Sequence, residues 1–357
     1  MPDEEPGKVP EAARPDGSRR AVRQPSIKDI ALLAHVSHPT VSRALQNSPL
    51  VNPRTAEKIR KIAEQAGYHA SAVARGLVTR RTRTIGLVVT TVADPFTSEV
   101  FSGIEREAHD RGYCVFLAES NADPQREKEV VRTFAERRVD GIIVTSSRVG
   151  ALYLPLLSEM MVPIVLLNDQ HPGAFVHSVM IRDQEGSRAA ASHLIGLGHR
   201  RIAYLGDQTG YQSEVDRCAG YRDALAAAGI GFIPELVVQG DGKPEGGFRA
   251  MDQLLVLADP PTAVCCFNDM SALGTMRSIR LHGLRVPEEI SVVGFDDLFF
   301  ASYTQPPLTT VRQPMRRMGQ LAMESLFKLM SGDESEIRIK VDAELIVRES
   351  TARARAG

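Results

Sequence analysis

The spacing of apolar residues changes character once along the chain. From Ser26 to Gly67 it follows the three-to-four-residue period of short helices, and from Thr84 onward short β-branched runs alternate with amphipathic stretches. In the first region Ile27, Ile30, Ala31 and Ala34 form one stripe, so a helix over Ile27–Ala34 that buries all four is expected. Its start is marked by Ser26-Ile27-Lys28-Asp29, where a hydroxyl at the N-cap is followed three residues later by a carboxylate, the pattern of a capping box. His35-Val36-Ser37 makes the turn. Ser37 caps a second helix, and Pro39 falls in its first turn, where a missing N–H costs nothing. Asn52-Pro53 opens a third helix with the stripe Ala56, Ile59, Ile62, Ala63 and Ala66, and Gly67 closes it.

The second region predicts strands at Ile85–Thr90, Cys114–Ala118, Gly141–Thr145, Pro163–Leu167, Ile202–Leu205, Ala263–Phe267 and Ser291–Gly294. Helical stretches such as Pro124–Arg138 and Asp269–His282 lie between them. Strand–helix alternation predicts parallel sheets flanked by helices, and the length of the region favours two lobes over one.

Charge sharpens this division. The 357 residues carry a formal net charge of −1, but the sum hides an asymmetry. Residues 25–82 hold nine basic and three acidic side chains, whereas the chain beyond them is net −7. A cationic helical module is thus fused to an anionic α/β body. Residues 1–24 balance five charges of each sign in a Pro-rich stretch without periodicity, and are expected to be a disordered tail. No apolar run approaches the roughly 18 residues that span a bilayer, and Met1–Arg23 has no apolar signal-peptide segment. The four cysteines, Cys114, Cys218, Cys265 and Cys266, lack CxxC spacing and are expected as reduced thiols packed in the core of a cytoplasmic protein.

Two short helices joined by a tight turn on a basic module form a helix-turn-helix candidate. Such a motif inserts its second helix into the major groove N-terminus first, which brings His38, Pro39 and Arg43 to base edges. Arg43 has the forked donors that match guanine O6 and N7, and Ser37 and Thr40 suit phosphate contacts. The alternative is a small bundle whose basic residues are a solvated face. Ser71-Ala72-Val73-Ala74-Arg75-Gly76-Leu77, in residues 69–83, has helical apolar spacing but is too short to fold alone. A segment that folds on DNA would fit, with Leu77 wedged between base steps of the minor groove and the small Ala74 permitting close approach. The alternative there is an inert linker.

Ser26-Ile27-Lys28-Asp29-Ile30-Ala31, Val36-Ser37, Thr40-Val41-Ser42-Arg43 and Ser71-Ala72-Val73-Ala74-Arg75 resemble the lactose/galactose-repressor (LacI/GalR) family of bacterial transcription regulators. So do Gly198-His199-Arg200-Arg201-Ile202, Gly283-Leu284-Arg285-Val286-Pro287 and Gly294-Phe295-Asp296-Asp297. The resemblance implies a helix-turn-helix domain at 25–68, with Tyr68 and Ser71 among its DNA contacts, and a hinge helix at 69–83. It also implies a periplasmic-binding-protein-like core at 84–350 and a tail at 351–357. One lobe would take residues 84–183 and 314–340 and the other 184–313 and 341–350, with crossings near Asp183, Gln313 and Val341. The expected assembly is a homodimer, or a dimer of dimers, on a palindromic operator. Many members place a proline just ahead of the hinge serine, where this chain has Ala70.

The implied ligand cleft lies between the lobes. Asp94 and Phe96, just after the first strand, offer two acceptors and a stacking face, although Asp94 before Pro95 also reads as a helix cap. Arg217 corresponds to the family's cleft arginine, and Asp296 to its ligand-binding acidic residue. Asn268 is the expected ligand contact beside Asp269 as helix cap, and Gln313 is either a contact or a linker residue. Carboxylates, an amide and an arginine around an aromatic face suit a polyhydroxylated ligand, so a sugar is expected, with a nucleobase as the alternative. No catalytic residue, metal or cofactor is expected. His-Glu-x-x-His is absent, Gly196-Leu197-Gly198-His199 precedes a strand instead of following one, and adjacent Asp296 and Asp297 face apart on an extended segment. A transport-type solute-binding protein is the remaining alternative.

Overall fold

The computed structural model of the chain describes residues 25–68, 81–153, 162–170, 177–333 and 335–355, which divide into two compact units at Arg80–Arg81. The smaller unit contains α1 (Ile27–Ala34), α2 (His38–Leu45) and α3 (Pro53–Gln65). Its ends are made by the caps that the sequence predicts. The Ser26 backbone N–H and hydroxyl both donate to Asp29 Oδ2 at 2.7 Å, and the Asp29 N–H returns a bond to Ser26 Oγ. Ser37 Oγ accepts from the Thr40 N–H, and Asn52 Oδ1 accepts from the Arg54 N–H at 2.9 Å. His35, at φ +57°, turns the chain between the first two helices. Ile30, Val41, Ala44, Val51 and Ile59 centre the small core. Ile27 is only half-buried, contrary to expectation, because it sits at the first helical position with one side open to solvent.

The larger unit holds two six-stranded sheets. The first runs β11-β5-β4-β3-β1-β2, all parallel, from β1 (Thr84–Val89), β2 (Cys114–Glu119), β3 (Gly141–Thr145), β4 (Ile164–Leu167), β5 (His177–Ile181) and β11 (Ile337–Val341). The second runs β12-β10-β9-β8-β6-β7, from β6 (Ile202–Asp207), β7 (Val237–Gly240), β8 (Ala263–Cys266), β9 (Ser291–Asp296), β10 (Thr309–Arg312) and β12 (Glu344–Ile346). Only β12 is antiparallel. All seven predicted strands form, and five that were not predicted join them. Those five mix polar residues into the run (His177-Ser178, Thr309-Thr310, Arg338, Lys340, Glu344) and sit at or next to a sheet edge.

Helices cover both sheets. Met315–Met330 packs on the first sheet beside Pro95–Asp110, burying Met318, Met323 and Leu326 against Ile85, Leu87 and Val165. These two helices approach so closely that a β-carbon on Gly103 or Gly319 would overlap the other's backbone. The chain passes between the sheets three times, after β5, after β10 and between β11 and β12. The passages lie side by side, since a β-carbon at Gly186 would touch both Val311 and Ala343, and Arg182 pairs with Asp342 at 2.9 Å. The C-terminal segment is pinned to the second sheet. Ser350 Oγ donates to the Val292 carbonyl and accepts from the Thr309 N–H, and buried His199 bonds Ser291, Thr262 and the Ala352 carbonyl.

Cys265 and Cys266 are buried in β8 as expected, but Cys218 is half-buried and Cys114 exposed, because Cys114 opens the edge strand β2. Among the described residues no helix is long and apolar enough to cross a membrane, and no cluster of His, Cys, Asp or Glu is arranged to hold a metal.

Candidate functional site

In the helical unit the residues expected to read DNA form one exposed end. Ser37, His38 and Pro39 open α2 with their side chains in solvent, and Thr40 is half-buried with its hydroxyl 2.8 Å from Ser37 Oγ. Arg43 lies one turn on and is exposed, without an ion pair among the described residues. Tyr68 packs against the helical core. Ser71, Ala74 and Leu77 lie outside the described residues.

In the larger unit the candidate ligand residues gather at the C-terminal ends of the strands, where open parallel sheets bind ligands. Arg217 is the centre. Its Nε donates to Asp183 Oδ1 at 2.7 Å and its Nη1 to the Phe267 carbonyl at 2.6 Å, while the guanidinium lies 3.7 Å from the Phe295 ring centroid. Asp183 and Arg217 are both buried, so each charge needs the other. Asp296 ends β9 in the left-handed region, at φ +118°, and its Oδ1 accepts from Gln313 Nε2 at 2.6 Å. Burial pushes its carboxyl well above the ordinary range, against the pull of Arg217; Asp269 and Asp94 push it further the same way. Gln313 is 4% exposed, and its Oε1 has no hydrogen-bond partner.

Asp94 caps the helix Pro95–Asp110 through the Phe96 N–H at 3.0 Å. Its side chain keeps an open face yet is crowded by protein, and that crowding raises its carboxyl. Two expectations need correction. Phe96 is not a free stacking platform: at 9% exposure it belongs to the apolar cluster that also holds Leu298 of the second lobe. Asn268, and not Asp269, is the helix cap, and Asp269 serves the interior instead. Asn268 caps its helix, with Oδ1 accepting from the Ser271 N–H at 2.8 Å and Nδ2 donating to the Gly242 carbonyl at 2.9 Å, so its amide is spent. Asp269 is fully buried and accepts from the Thr310 hydroxyl and the Leu298 N–H.

Sequence reasoning missed a set of contacts between the lobes. Arg148, following β3, donates to the Thr209 carbonyl and lies 5.0 Å from the Tyr211 ring centroid. Gln170 Oε1, following β4, accepts from the Ser213 N–H at 3.0 Å. Asn168 and Thr209 in the same region keep a buried oxygen without a partner. Their position just beyond strand ends was the available signal; nothing local to Arg148 indicates that its partner lies 61 residues away.

Comparison with known proteins agrees with this anatomy. Residues 26–71 match the family described as bacterial regulatory proteins, lacI family, and residues 191–351 match the periplasmic binding protein-like domain. The HTH-type transcriptional repressor PurR of Aliivibrio fischeri strain MJ11 is 36% identical over 91% of this chain and 98% of its own length. Among solved structures, a lac repressor dimer bound to operator and the anti-inducer ONPF is 30% identical, with a TM-score of 0.84 over 92% of this chain and all of that one. A complex of the transcriptional regulator CelR with cellobiose is 33% identical, with a TM-score of 0.70 over 91% of this chain and 99% of that one. A helix-turn-helix head and a two-lobed parallel α/β core, joined in that order and matched along nearly their whole length, make this chain a member of the LacI family of bacterial regulatory proteins.

Proposed function

We propose that the chain is a repressor that binds a palindromic operator as a homodimer and releases or grips it in response to a neutral sugar held between the lobes. The observation that carries the ligand class is the acceptor-rich character of the buried cleft. Gln313 Oε1 lacks a donor, Asp94 and Asp296 supply carboxyl groups whose charged forms burial disfavours, and the buried guanidinium of Arg217 is already committed to Asp183 and Phe267. Such a site is satisfied by a neutral ligand rich in hydroxyl groups. The relative that carries cellobiose supports the same reading.

DNA recognition is assigned to Ser37, His38, Pro39, Thr40 and Arg43 at the exposed start of α2, with Tyr68, Ser71, Ala74 and Leu77 completing the contact set. Dimerisation is assigned to a groove of about 750 Å³ on the second lobe, lined by Phe248, Leu273, Met276, Leu284, Val286 and Pro306. Leu273 is 38% exposed there, and Arg249, Arg277, Arg280 and Arg285 share the lining with Glu245 and Glu288, so a symmetric second copy can set opposite charges against each other.

The test is a thermal-shift screen of the full chain with cellobiose, neutral monosaccharides, a uronate and nucleobases. Neutral sugars are expected to stabilise it, by about 2.7 kcal/mol at one hundred times the dissociation constant. Asp296→Ala should lose that shift while retaining operator binding. Stabilisation by a nucleobase or uronate alone would overturn the ligand class.

A further inference from the structure

The chain enters the larger unit through Thr82 and Arg83, just before β1. Both backbone N–H groups of these two residues go to one side chain, while the Thr82 hydroxyl also reaches the Arg138 carbonyl at 2.8 Å. The Thr82 N–H donates to Asp140 Oδ1 at 2.8 Å, the Thr82 hydroxyl lies 2.9 Å from the same oxygen, and the Arg83 N–H donates to Oδ2 at 2.9 Å. The Asp140 N–H itself donates to the Thr84 carbonyl at 2.8 Å, and the Arg83 carbonyl accepts from the Cys114 N–H at 3.0 Å. Asp140 forms no ion pair among the described residues, so both carboxylate oxygens serve the incoming backbone. Arg83 meanwhile sits at φ +53°, a conformation that a non-glycine residue keeps only where its surroundings impose it. The strand that follows needs no such help, since β1 is already paired on both sides from Thr84 or Ile85 onward.

We propose that Asp140 is a positioning residue for operator recognition: it fixes the place and direction in which the segment from the helix-turn-helix head joins the first lobe. The inference rests on the function proposed above. In a dimer, binding of the second head is intramolecular, and its effective concentration depends on how narrowly the two attachment points are defined. A swivelling joint lowers that concentration for the correct half-site spacing and raises tolerance of wrong ones. The signature is therefore a loss of spacing discrimination, which a general loss of stability does not produce.

The experiment uses the full chain. Selection from random duplex DNA by the wild type defines its preferred inverted repeat. Titrations then compare that duplex, the same duplex with two base pairs inserted at its centre, and a single half-site. Asp140→Ala is expected to reduce the ratio of affinities for the first two by about tenfold or more, with half-site binding unchanged. Asp140→Asn keeps the volume and one acceptor but turns an amide N–H₂ towards one of the two backbone N–H groups, so it should lower the ratio too. If Asp140→Ala does not fold, Asp140→Asn decides. A wild type that selects an inverted repeat, with variants that keep its spacing ratio, overturns the role of Asp140. A wild type that selects no inverted repeat overturns the proposed function, and this inference with it.

Discussion

Arg217 shows what a single buried charge commits its neighbours to. Its guanidinium satisfies Asp183 and faces Asp296, and all three are nearly inaccessible. Arg217→Met therefore strands Asp183, and a cost of about 3–5 kcal/mol is expected from urea unfolding. Asp183→Asn in the same variant should restore much of it. Glu214 makes a different prediction. Burial lifts its carboxyl to about 7 from an ordinary 4.5, although the Tyr204 hydroxyl and the Asp207 N–H donate to it. The folded state thus holds this proton to higher pH than the unfolded state does. Its contribution to stability is complete below about 4.5 and disappears as pH rises through about 7. Glu214→Gln keeps the neutral form, so its stability relative to the wild type should grow between pH 5 and 8, by on the order of 1–3 kcal/mol. At this scale the sequence was legible wherever the chemistry is local. Ser26, Ser37 and Asn52 cap as their spacing predicts. The cap was assigned to Asp269 instead of Asn268 because either side chain can cap, and the Thr310 hydroxyl that claims Asp269 lies 41 residues away.

Between elements, the reading succeeded where strands are apolar runs, even on the exposed edge strand β2, and failed where polar residues interrupt the run. β3 and β4 bury every residue and announce themselves as apolar runs. β11 alternates exposed charges with buried or half-buried residues over five positions, and β12 follows one exposed charge with two half-buried residues, too few to distinguish from a loop. The contacts across the cleft were illegible for a related reason, since Arg148 and Tyr211 meet only once two separately folded lobes close on each other. Those contacts predict a measurable opening. Arg148→Ala removes a charged donor worth about 1.5–3 kcal/mol, which should speed hydrogen exchange at the Ser213 amide, held across the cleft by Gln170, by roughly tenfold or more. Unchanged protection would mean that Arg148 does not help to hold the lobes together.

At the scale of the molecule, the asymmetry of charge was visible from the outset and separates the two units of the structure. The basic head predicts steep salt dependence of DNA binding, with the logarithm of affinity falling by about 0.9 per phosphate contact per decade of salt. Arg43→Ala should cost about 1–3 kcal/mol of discrimination between operator and scrambled duplex in competition titrations, with little change in binding to the scrambled one. Equal losses on both duplexes would make Arg43 a backbone contact.

The three adjacent passages around Gly186 have a mechanical consequence. A pair of bodies tied by one thread can twist, slide and part. Tied by three neighbouring threads, they keep a single easy movement, a rocking about the line through the ties. On the proposed function, a sensor with one soft coordinate would answer every compound that fits it in the same vocabulary, a change of angle. Substitutions lining the mouth would then swap the compound detected and leave the transmission untouched.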